Sequence, residues 1–316
     1  MQSIQALVAP ELTTLSAQLQ TLVSSDNRLL QEVTQYAFRV PGKQIRPILV
    51  LLTAGACGGI TPKAQRGALL VTLLHQASLV HDDVVDGATY RRGQPAIHVA
   101  WNEKVAILFG DYLLAKISEL ALQHQDDKWL DLLNKAFQAM SEGELLHLAQ
   151  AAQCTISEEM YLEVIHKKTA YLLGVCFAMG ALGAGAPAAQ VDALCQAGED
   201  LGMAFQLKDD GLDYGTKEQG KPLGLDLQAG YLTLPLIHAL QQASTTRRQE
   251  VLHILQHHSN DAGKRQEVMD FVRQSAGITY THQKMHQYRQ KALDTLNQLE
   301  TSPYQQALIA LVQDIV

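Results

Sequence analysis

The sequence has little of what marks a disulfide-bonded, secreted or nucleic-acid-binding protein. It contains four cysteines, far apart and without a Cys-x-x-Cys pair, which predicts free thiols rather than a disulfide frame or a zinc knuckle. Its formal net charge of −7 argues against non-specific nucleic-acid binding, which needs a basic face. Residues 1–4 include no basic segment before an apolar run. We therefore expect no signal peptide and a cytoplasmic protein in a reducing compartment.

Long uncharged runs are also scarce, with one exception at residues 169–191. This stretch is long enough on paper to cross a bilayer. It is rich in alanine and glycine, and Gly185-Ala186-Pro187 interrupts it after about four turns. We therefore expect a helix buried on all sides within a helical protein, and no transmembrane segment.

What the sequence does contain is helical periodicity, with almost no alternation of period two. Hydrophobic residues make up 47% of the chain, enough for a sizeable core. Thr61 before Pro62 is typical of a helix start, and so is Ser157 before two glutamates. No low-complexity linker divides the chain, so we predict an all-α fold with one domain over residues 1–316. The predicted helices are 9–23, 27–38, 44–57, 62–86, 99–124, 127–152, 157–184, 188–213 and 231–243, followed by three or four more.

Two acidic motifs of identical spacing each close an apolar helix. Both have the pattern Asp-Asp-x-x-Asp, at residues 82–86 and 209–213, and a loop rich in charge and glycine follows each, at 87–98 and 214–230. The first and last Asp share one helix face, where like charges destabilise the helix unless a cation offsets them. The helix dipole also disfavours carboxylates at a C-terminal end. Hard oxygen ligands of this kind suit Mg²⁺ that also binds substrate phosphate.

In combination and in order, seven stretches of the chain resemble those of the polyprenyl synthase family, the trans-isoprenyl diphosphate synthases. The resemblance covers nearly the whole chain and includes both acidic motifs and the small basic islands near them. It implies the isoprenoid synthase fold, an orthogonal helical bundle around a central cavity, and a homodimer. The stretches are 42–47, 78–86, 91–93, 109–111, 168–170, 206–213 and 220–227.

The resemblance implies a prenyltransferase that condenses isopentenyl diphosphate head-to-tail with an allylic diphosphate primer by ionisation, condensation and elimination. About three Mg²⁺ ions per active site would stabilise the leaving diphosphate. The implied metal ligands are Asp82, Asp86, Asp209 and Asp213, assisted by Asp83 and Asp210. Arg91, Lys168 and Lys221 would contact the allylic diphosphate, and Thr169 and Gln206 would lie beside the carbocation. The implied isopentenyl diphosphate site comprises Gly42, Lys43, Arg46, His75 and Arg92.

The chain departs from the family pattern at Tyr231. Family members often carry Lys in the segment before Thr-Leu-Pro, which here is Thr233-Leu234-Pro235. One diphosphate contact is therefore missing, or a neutral phenol replaces it. The alternative is that Tyr231 is only a half-buried aromatic residue at a helix start.

Product length is expected to depend on the helix that precedes the first acidic motif. In the resembling family, bulky aromatics five and four residues before the first Asp close the product tunnel early; here these positions are Ala77 and Ser78. Leu74 continues an aliphatic wall, and Phe137 is a candidate floor residue or simply part of the core. About 24 Å of helix lies between Asp82 and residue 66. We expect about six to eight isoprene units at ~5.4 Å per helical turn, with a shorter geranylgeranyl or farnesylgeranyl product as the alternative.

Three other functions share parts of this pattern. A terpene cyclase has the first acidic motif, but it lacks a repeated Asp-Asp-x-x-Asp and the basic residues near Lys43 that would bind isopentenyl diphosphate. A ferritin-like di-metal bundle would use Glu-x-x-His pairs, which occur at 144–147 and 163–166, but it needs two further glutamates. A non-catalytic partner subunit would normally have lost one acidic motif. We therefore predict an enzyme, with possible peripheral membrane contact for release of its apolar product.

Overall fold

The computed structural model describes residues 2–22, 26–153, 157–215 and 223–316. Their contacts divide the chain into two compact units. Unit 1 comprises Met1–Phe137, Val175–Cys195 and Leu296–Leu311; unit 2 comprises Gln138–Gly174, Gln196–Thr295 and Val312–Val316. The prediction of an all-α fold is confirmed, and the domain boundaries 1–316 stay a prediction.

Within the described residues, helices form nearly all of the regular structure. In chain order they are α1 Gln2–Leu7, α2 Ala9–Leu22, α3 Arg28–Phe38, α4 Ile45–Ala56, α5 Pro62–Val85, α6 Ile97–Ala100, α7 Glu103–Gln123, α8 Asp127–Gln153, α9 Glu158–Ile165, α10 Tyr171–Gly183, α11 Ala188–Asp213, α12 Leu225–Gln228, α13 Leu234–Gln242, α14 Thr245–His258, α15 Ala262–Gln274, α16 Gly277–Leu296 and α17 Pro303–Ile315. A π-helical turn, His166–Ala170, joins α9 to α10.

A two-stranded hairpin interrupts the loop that follows α5. Strands β1, Tyr90–Arg91, and β2, Gln94–Pro95, pair antiparallel. The turn between them places Arg92 at φ +52° and Gly93 at φ +75°. Two successive residues of positive φ match the right-handed twist of a tight hairpin. The sequence predicted a loop here, because two-residue strands leave no periodic signal.

The predicted helix starts are confirmed where a side chain caps the helix. The Thr61 hydroxyl accepts the backbone N–H of Ala64 at 3.1 Å, and that of Ser157 accepts the N–H of Met160 at 3.2 Å. Each satisfies a donor that the first helical turn leaves unpaired. The predicted helix from 231 begins later, at Leu234, because Pro235 fits only the first turn of a helix.

Two other predicted helices are interrupted in the structure. The predicted helix 157–184 contains the π-helical turn at His166–Ala170, so α9 and α10 are separate elements. The predicted helix 99–124 is replaced by α6 and α7, because Asn102 caps a new start by accepting the N–H of Val105 at 3.0 Å. π-helical turns are rare and occur mostly as single turns inside α-helices, so the sequence did not indicate this one.

In unit 1, α5 packs against α4 and α7. Its buried positions lie on all sides of the helix, among them Leu70, Leu73 and Leu74, which are almost completely inaccessible. Gly110 on α7 allows this close packing, because a Cβ there would lie 2.2 Å from Nε2 of His81. The C-terminal end of α5, which carries the first acidic motif, is therefore held firmly.

Most of the uncharged stretch 169–191 forms α10. This helix ends at Gly183, two residues before Gly185 at φ +80°. Its side chains are almost all buried. Among the described residues, no helix is long and apolar enough to cross a membrane. Among the described residues, Cys57, Cys176 and Cys195 form no disulfide bond, while Cys154 lies outside the described residues.

Candidate active site

A cavity of about 420 Å³ in unit 1 brings together all five residues of the predicted isopentenyl diphosphate site. They come from the turn before α4, from the first turn of α4, from the middle of α5 and from the hairpin after α5. The five are Gly42, Lys43, Arg46, His75 and Arg92, and apolar residues such as Leu19 and Phe38 complete the lining. Three cations around one cavity can hold a compact anion.

Arg46 and His75 form the inner wall of this cavity. Nη1 of Arg46 lies 2.7 Å from Nε2 of His75. Because a guanidinium only donates, Nε2 is the acceptor and the imidazole proton lies on Nδ1. Burial first, and then the charges of Arg46, Arg92 and Arg91, hold the pKa of His75 well below its usual value. Buried Nδ1 of His75 and Nε of Arg46 have no hydrogen-bond partner in the part of the chain that the structure describes, so both offer donors to an anion.

Arg92 lies against the backbone at Gly42. A Cβ at residue 42 would be 2.9 Å from both Cζ and Nε of Arg92. Nη1 of the same guanidinium donates to the carbonyl of Val40 at 3.1 Å. Glycine is therefore required at position 42 to let the Arg92 guanidinium lie where it does.

The first acidic motif lies at the end of α5, where Asp86 is the C-terminal cap. Asp82 and Asp86 share one face of the last turn. Asp83 points elsewhere: it is buried, and its carboxylate accepts Nε of Arg91 at 2.9 Å and also pairs with Nη2. This hydrogen bond is the main reason that the pKa of Arg91 is raised. Asp83 therefore orients Arg91, so the geometry assigns it a role different from direct metal contact.

In unit 2, a chain of hydrogen bonds links the π-helical turn to the second acidic motif. The hydroxyl of Thr169 donates to Oε1 of Gln206 at 3.1 Å, and Nε2 of Gln206 donates to Oδ1 of Asp210 at 3.0 Å. Tyr161 donates its hydroxyl to the other oxygen, Oδ2, of Asp210. The sequence singled out three of these four residues and missed Tyr161, because nothing in the helical pattern distinguishes it from a core aromatic.

A close contact between α11 and the π-helical turn makes this chain of hydrogen bonds possible. A Cβ at Gly202 of α11 would lie 2.4 Å from Cα of Ala170. Only glycine lets α11 approach the π-helical turn so closely. Gln206 lies one helical turn after Gly202 and Thr169 lies next to Ala170, so the contact brings their side chains together.

The carboxylates of the second motif differ in their surroundings. Asp209 is exposed, whereas Asp210 is buried. Burial first, and then the charges of Asp226 and Asp213, raise the pKa of Asp210 well above its usual value. Asp213 accepts the backbone N–H of Gly224 at 3.0 Å and that of Asp226 at 3.3 Å. Asp226 thus joins the acidic group; the sequence placed it in a family stretch but gave it no role.

Lys168 lies in a cluster of four side chains in unit 2, which we call the Lys168 cluster: Glu144, His147, Lys168 and Tyr231. Nζ of Lys168 is 2.5 Å from Oε2 of Glu144 and 3.0 Å from Nδ1 of His147. The imidazole of His147 stacks on the ring of Tyr231, with centroids 3.7 Å apart. Glu163 pairs with Lys167 at 2.9 Å. Both Glu-x-x-His pairs thus bind lysine through their glutamates, which removes the basis for a ferritin-like di-metal site.

The carboxylates fit Mg²⁺ by their chemistry. All donors in the two motifs are carboxylate oxygens, and in unit 2 Asp210, Asp213 and Asp226 are close enough to raise the pKa of Asp210. A cation would relieve this repulsion. Across the described residues, no group of three or more His, Cys, Asp or Glu side chains is placed to hold a metal ion. Mg²⁺ typically takes one or two carboxylates in proteins, and water and phosphate oxygens complete its shell.

The candidate chain-length residues lie in unit 1. Ala77 and Leu74 are completely buried on α5, Ser78 is nearly so, and Phe137 is half-buried on α8. The sequence missed Trp129, which is fully buried and lies 3.4 Å from where a Cβ of Gly67 would be. Lys221, the remaining predicted diphosphate ligand, lies outside the described residues.

Comparison with known proteins agrees with these features. The sequence model of the polyprenyl synthetase family matches residues 27–272. The chain is 34% identical to an all-trans-nonaprenyl-diphosphate synthase (geranyl-diphosphate specific) of Rhodobacter capsulatus, over 99% of this chain and 96% of the relative. It is 33% identical to an octaprenyl diphosphate synthase of Haemophilus influenzae, over 98% and 94%.

Solved structures resemble the fold over its whole length. A decaprenyl diphosphate synthase from Rhodobacter capsulatus superposes with a TM-score of 0.94 at 32% identity, covering 99% of this chain and 98% of that one. A geranylgeranyl pyrophosphate synthetase from Pyrococcus horikoshii gives 0.91 at 29%, covering 100% and 98%. A polyprenyl synthase from Caulobacter crescentus complexed with calcium and isoprenyl diphosphate gives 0.90 at 30%, covering 99% and 96%. The predicted family and fold are confirmed: the chain belongs to the polyprenyl synthetase family of prenyltransferases.

Proposed function

We propose that the protein is a magnesium-dependent all-trans polyprenyl diphosphate synthase that adds isopentenyl diphosphate repeatedly to an allylic primer. The observation that carries the proposal is the 420 Å³ cavity, whose lining contains every residue predicted to hold isopentenyl diphosphate. The names of the relatives support the same reaction.

The cavity in unit 1 is the proposed isopentenyl diphosphate site. Arg46 and Arg92 offer planar guanidinium groups that can hold diphosphate oxygens in pairs, and Lys43 adds an exposed point charge. The neutral His75 donates from buried Nδ1, so it binds an anion without adding charge. The low pKa keeps this donor in the same form at neutral pH.

The acidic motifs would hold about three Mg²⁺ ions against the allylic diphosphate, with Asp82, Asp86 and Asp209 as ligands. Bound there, Mg²⁺ supplies positive charge that stabilises the diphosphate as it leaves the allylic carbon. Arg91, oriented by Asp83, and Lys168, held by Glu144, would bind oxygens of the same diphosphate. Such fixed charges need no reorganisation when the bond breaks.

Thr169 and Gln206 would stabilise the allylic cation. Because Thr169 donates its own proton to Gln206, its oxygen presents lone pairs to the substrate side. Gln206 is fixed in turn by Asp210 and, through that carboxylate, by Tyr161. An oriented hydroxyl dipole stabilises a cation without attacking it as a free water would. The alkene of isopentenyl diphosphate then attacks carbon 1, and the released diphosphate accepts the last proton.

A medium to long product, about six to eight isoprene units, follows from the small residues Ala77 and Ser78. One stripe of α5 lies within about 80° of Asp82 at 100° per residue and could line the growing tail; it consists of Ser78, Leu74, Val71 and Gly67. The stripe ends at Trp129, about 22 Å below Asp82 along the helix. A geranylgeranyl or farnesylgeranyl product is the second candidate, favoured by the likeness to the Pyrococcus enzyme.

We further propose a cytoplasmic homodimer with peripheral membrane contact for product release, and one functional domain over residues 1–316. Exposed apolar side chains on α7 support an interface, because Leu108 and Leu122 are 67% and 61% exposed on one helix. Solvent-exposed leucines of this size are stabilised when a partner covers them.

One experiment tests the reaction. Purified protein is incubated with Mg²⁺, geranyl or farnesyl diphosphate and labelled isopentenyl diphosphate, and the products are sized by chromatography. Labelled all-trans diphosphates that depend on Mg²⁺ and are lost in Asp82→Ala are expected. If the wild type forms no elongated diphosphate with either primer, the proposal is wrong.

A further inference from the structure

The Lys168 cluster contains more than the predicted diphosphate ligand. Glu144 and His147 lie one turn apart on α8 and face Lys168 on the π-helical turn. Gly143 permits this approach, because a Cβ there would lie 2.9 Å from Cβ of Lys167 and 3.1 Å from the backbone nitrogen of Lys168. The two segments are therefore fitted to each other at this point.

The ammonium of Lys168 has a fixed orientation. It carries three N–H donors and no acceptor. Nζ donates one N–H to Nδ1 of His147 at 3.0 Å and forms an ion pair with Oε2 of Glu144 at 2.5 Å. Because the three N–H bonds are arranged tetrahedrally about Nζ, the hydrogen bond to His147 sets the rotation of the ammonium about its Cε–Nζ bond. The directions of the other two N–H bonds follow from it, which would not hold for a freely rotating lysine.

His147 is suited to this task because it is neutral. Burial first, and then the charge of Lys168, lower its pKa to about 4. At neutral pH its Nδ1 accepts the hydrogen bond, and the ring proton lies on Nε2. A second carboxylate in this place would neutralise the lysine further and weaken its attraction for an anion. The imidazole orients Lys168 and leaves its charge available.

Tyr231 holds the imidazole in place. The two rings stack with centroids 3.7 Å apart and planes inclined by 29°. The backbone fixes Tyr231 in turn: its N–H donates to the carbonyl of Asp226 at 2.8 Å, directly after Gly230 at φ +79°. The aromatic ring therefore reaches His147 from a rigid turn, and its flat face limits rotation of the imidazole.

We propose that His147, held by the ring of Tyr231, is a positioning residue that aims Lys168 at the allylic diphosphate. The inference rests on the proposed function, in which Lys168 binds that diphosphate. It gives Tyr231 a definite role: the phenol does not bind the diphosphate itself but orients a residue that does so through His147.

The test is a double-mutant cycle in which KM for the allylic primer and KM for isopentenyl diphosphate are both measured. His147→Leu removes the acceptor at similar volume, and Lys168→Met removes the ammonium. We expect His147→Leu to raise KM for the primer about tenfold, the effect of misdirecting one charge-assisted hydrogen bond. KM for isopentenyl diphosphate should change less than about twofold, because none of the residues proposed to bind it belongs to the Lys168 cluster. In the Lys168→Met background, His147→Leu should add nothing.

Three further variants separate positioning from simple stability. His147→Gln, which keeps an acceptor, should recover part of the loss. Tyr231→Leu should raise the primer KM more than Tyr231→Phe, which keeps the stacked ring. Tyr280→Leu is the matched control, since it removes another His–Tyr stack of unit 2, with His238 at 4.1 Å. This control should leave the primer KM unchanged.

The outcomes distinguish the two proposals. If Lys168→Met raises the primer KM but His147→Leu does not, positioning by His147 is wrong and the role of Lys168 stands. Additive effects in the double variant would also overturn it. If Lys168→Met leaves the primer KM unchanged in an active enzyme, the role of Lys168 itself fails, and positioning fails with it. Should His147→Leu not fold, the His147→Gln and Tyr231→Leu cycles with Lys168→Met give the same decision.

Discussion

A single methyl group at residue 42 should separate isopentenyl diphosphate binding from stability. In the structure, a Cβ on Gly42 would lie 2.9 Å from Cζ and Nε of Arg92, whereas ordinary contacts begin near 3.4 Å. In Gly42→Ala the guanidinium must therefore move by about 0.5 Å, the difference between those two distances. The atoms that move are the flexible end of a long side chain, so the cost to folding should be small, about 0.5–1 kcal/mol.

The cost to binding should be larger than the cost to folding. The displaced guanidinium loses alignment with the carbonyl of Val40, now at 3.1 Å, and with the diphosphate that Arg92 is proposed to bind. A hydrogen bond that involves a charged group contributes about 1.5–3 kcal/mol. Since about 1.4 kcal/mol is a factor of ten, KM for isopentenyl diphosphate should rise about 10- to 100-fold. The primer KM should change less than about threefold.

Steady-state kinetics with each substrate varied in turn, together with thermal unfolding, measures both effects. Arg92→Met is the control, because the added methyl then has no guanidinium to displace. Gly42→Ala in that background should change KM for isopentenyl diphosphate less than about twofold. An unchanged KM in the single variant, or the full effect persisting in the double variant, would refute the reasoning.

Three further predictions concern the metals, the substrates and the product. Asp82→Ala or Asp209→Ala should reduce turnover by several orders of magnitude with an unchanged circular dichroism spectrum, and near wild-type turnover with Mg²⁺ would contradict the metal assignment. Arg46→Ala should raise KM for isopentenyl diphosphate far more than KM for the primer, and equal rises would show that its assignment is wrong. Ala77→Phe should shorten products to about three or four units, because longer tails must overcome ~1–3 kcal/mol of overpacking. Ser78 lies on a different face of α5, the stripe below Asp82, so Ser78→Phe tests whether the tail follows that face. Unchanged product sizes in both variants would show that the tail leaves by another route.

The fold class could be predicted because its signals are local. Apolar spacing, the caps at Thr61 and Ser157, and Pro62 each act within about one helical turn. Signals of this kind do not reveal irregular elements that are only a few residues long. The π-helical turn at His166–Ala170 is such an element, and so is the hairpin at residues 90–95.

The candidate site also has features that the sequence predicted and features that it did not. The resemblance indicated which residues would meet isopentenyl diphosphate, and the structure brings all five to one cavity, where Gly42 leaves room for the Arg92 guanidinium. From the sequence, Asp82 is an implied metal ligand and its neighbour Asp83 assists it in the same acidic motif. The structure separates them, since the partner of Asp83 is Arg91, eight residues on.

By itself, the sequence determined the all-α class, the family and the identity of the charged groups, because helix periodicity and motif order are written in neighbouring residues. Only the tertiary structure decided which partners surround each group. Asp210 is buried against Tyr161, 49 residues away, and Lys168 is held by His147, 21 residues away. A helical pattern fixes the face on which a side chain lies. It does not fix the partner that meets that face, which depends on how closely the backbones approach, as at Gly143 and Gly202.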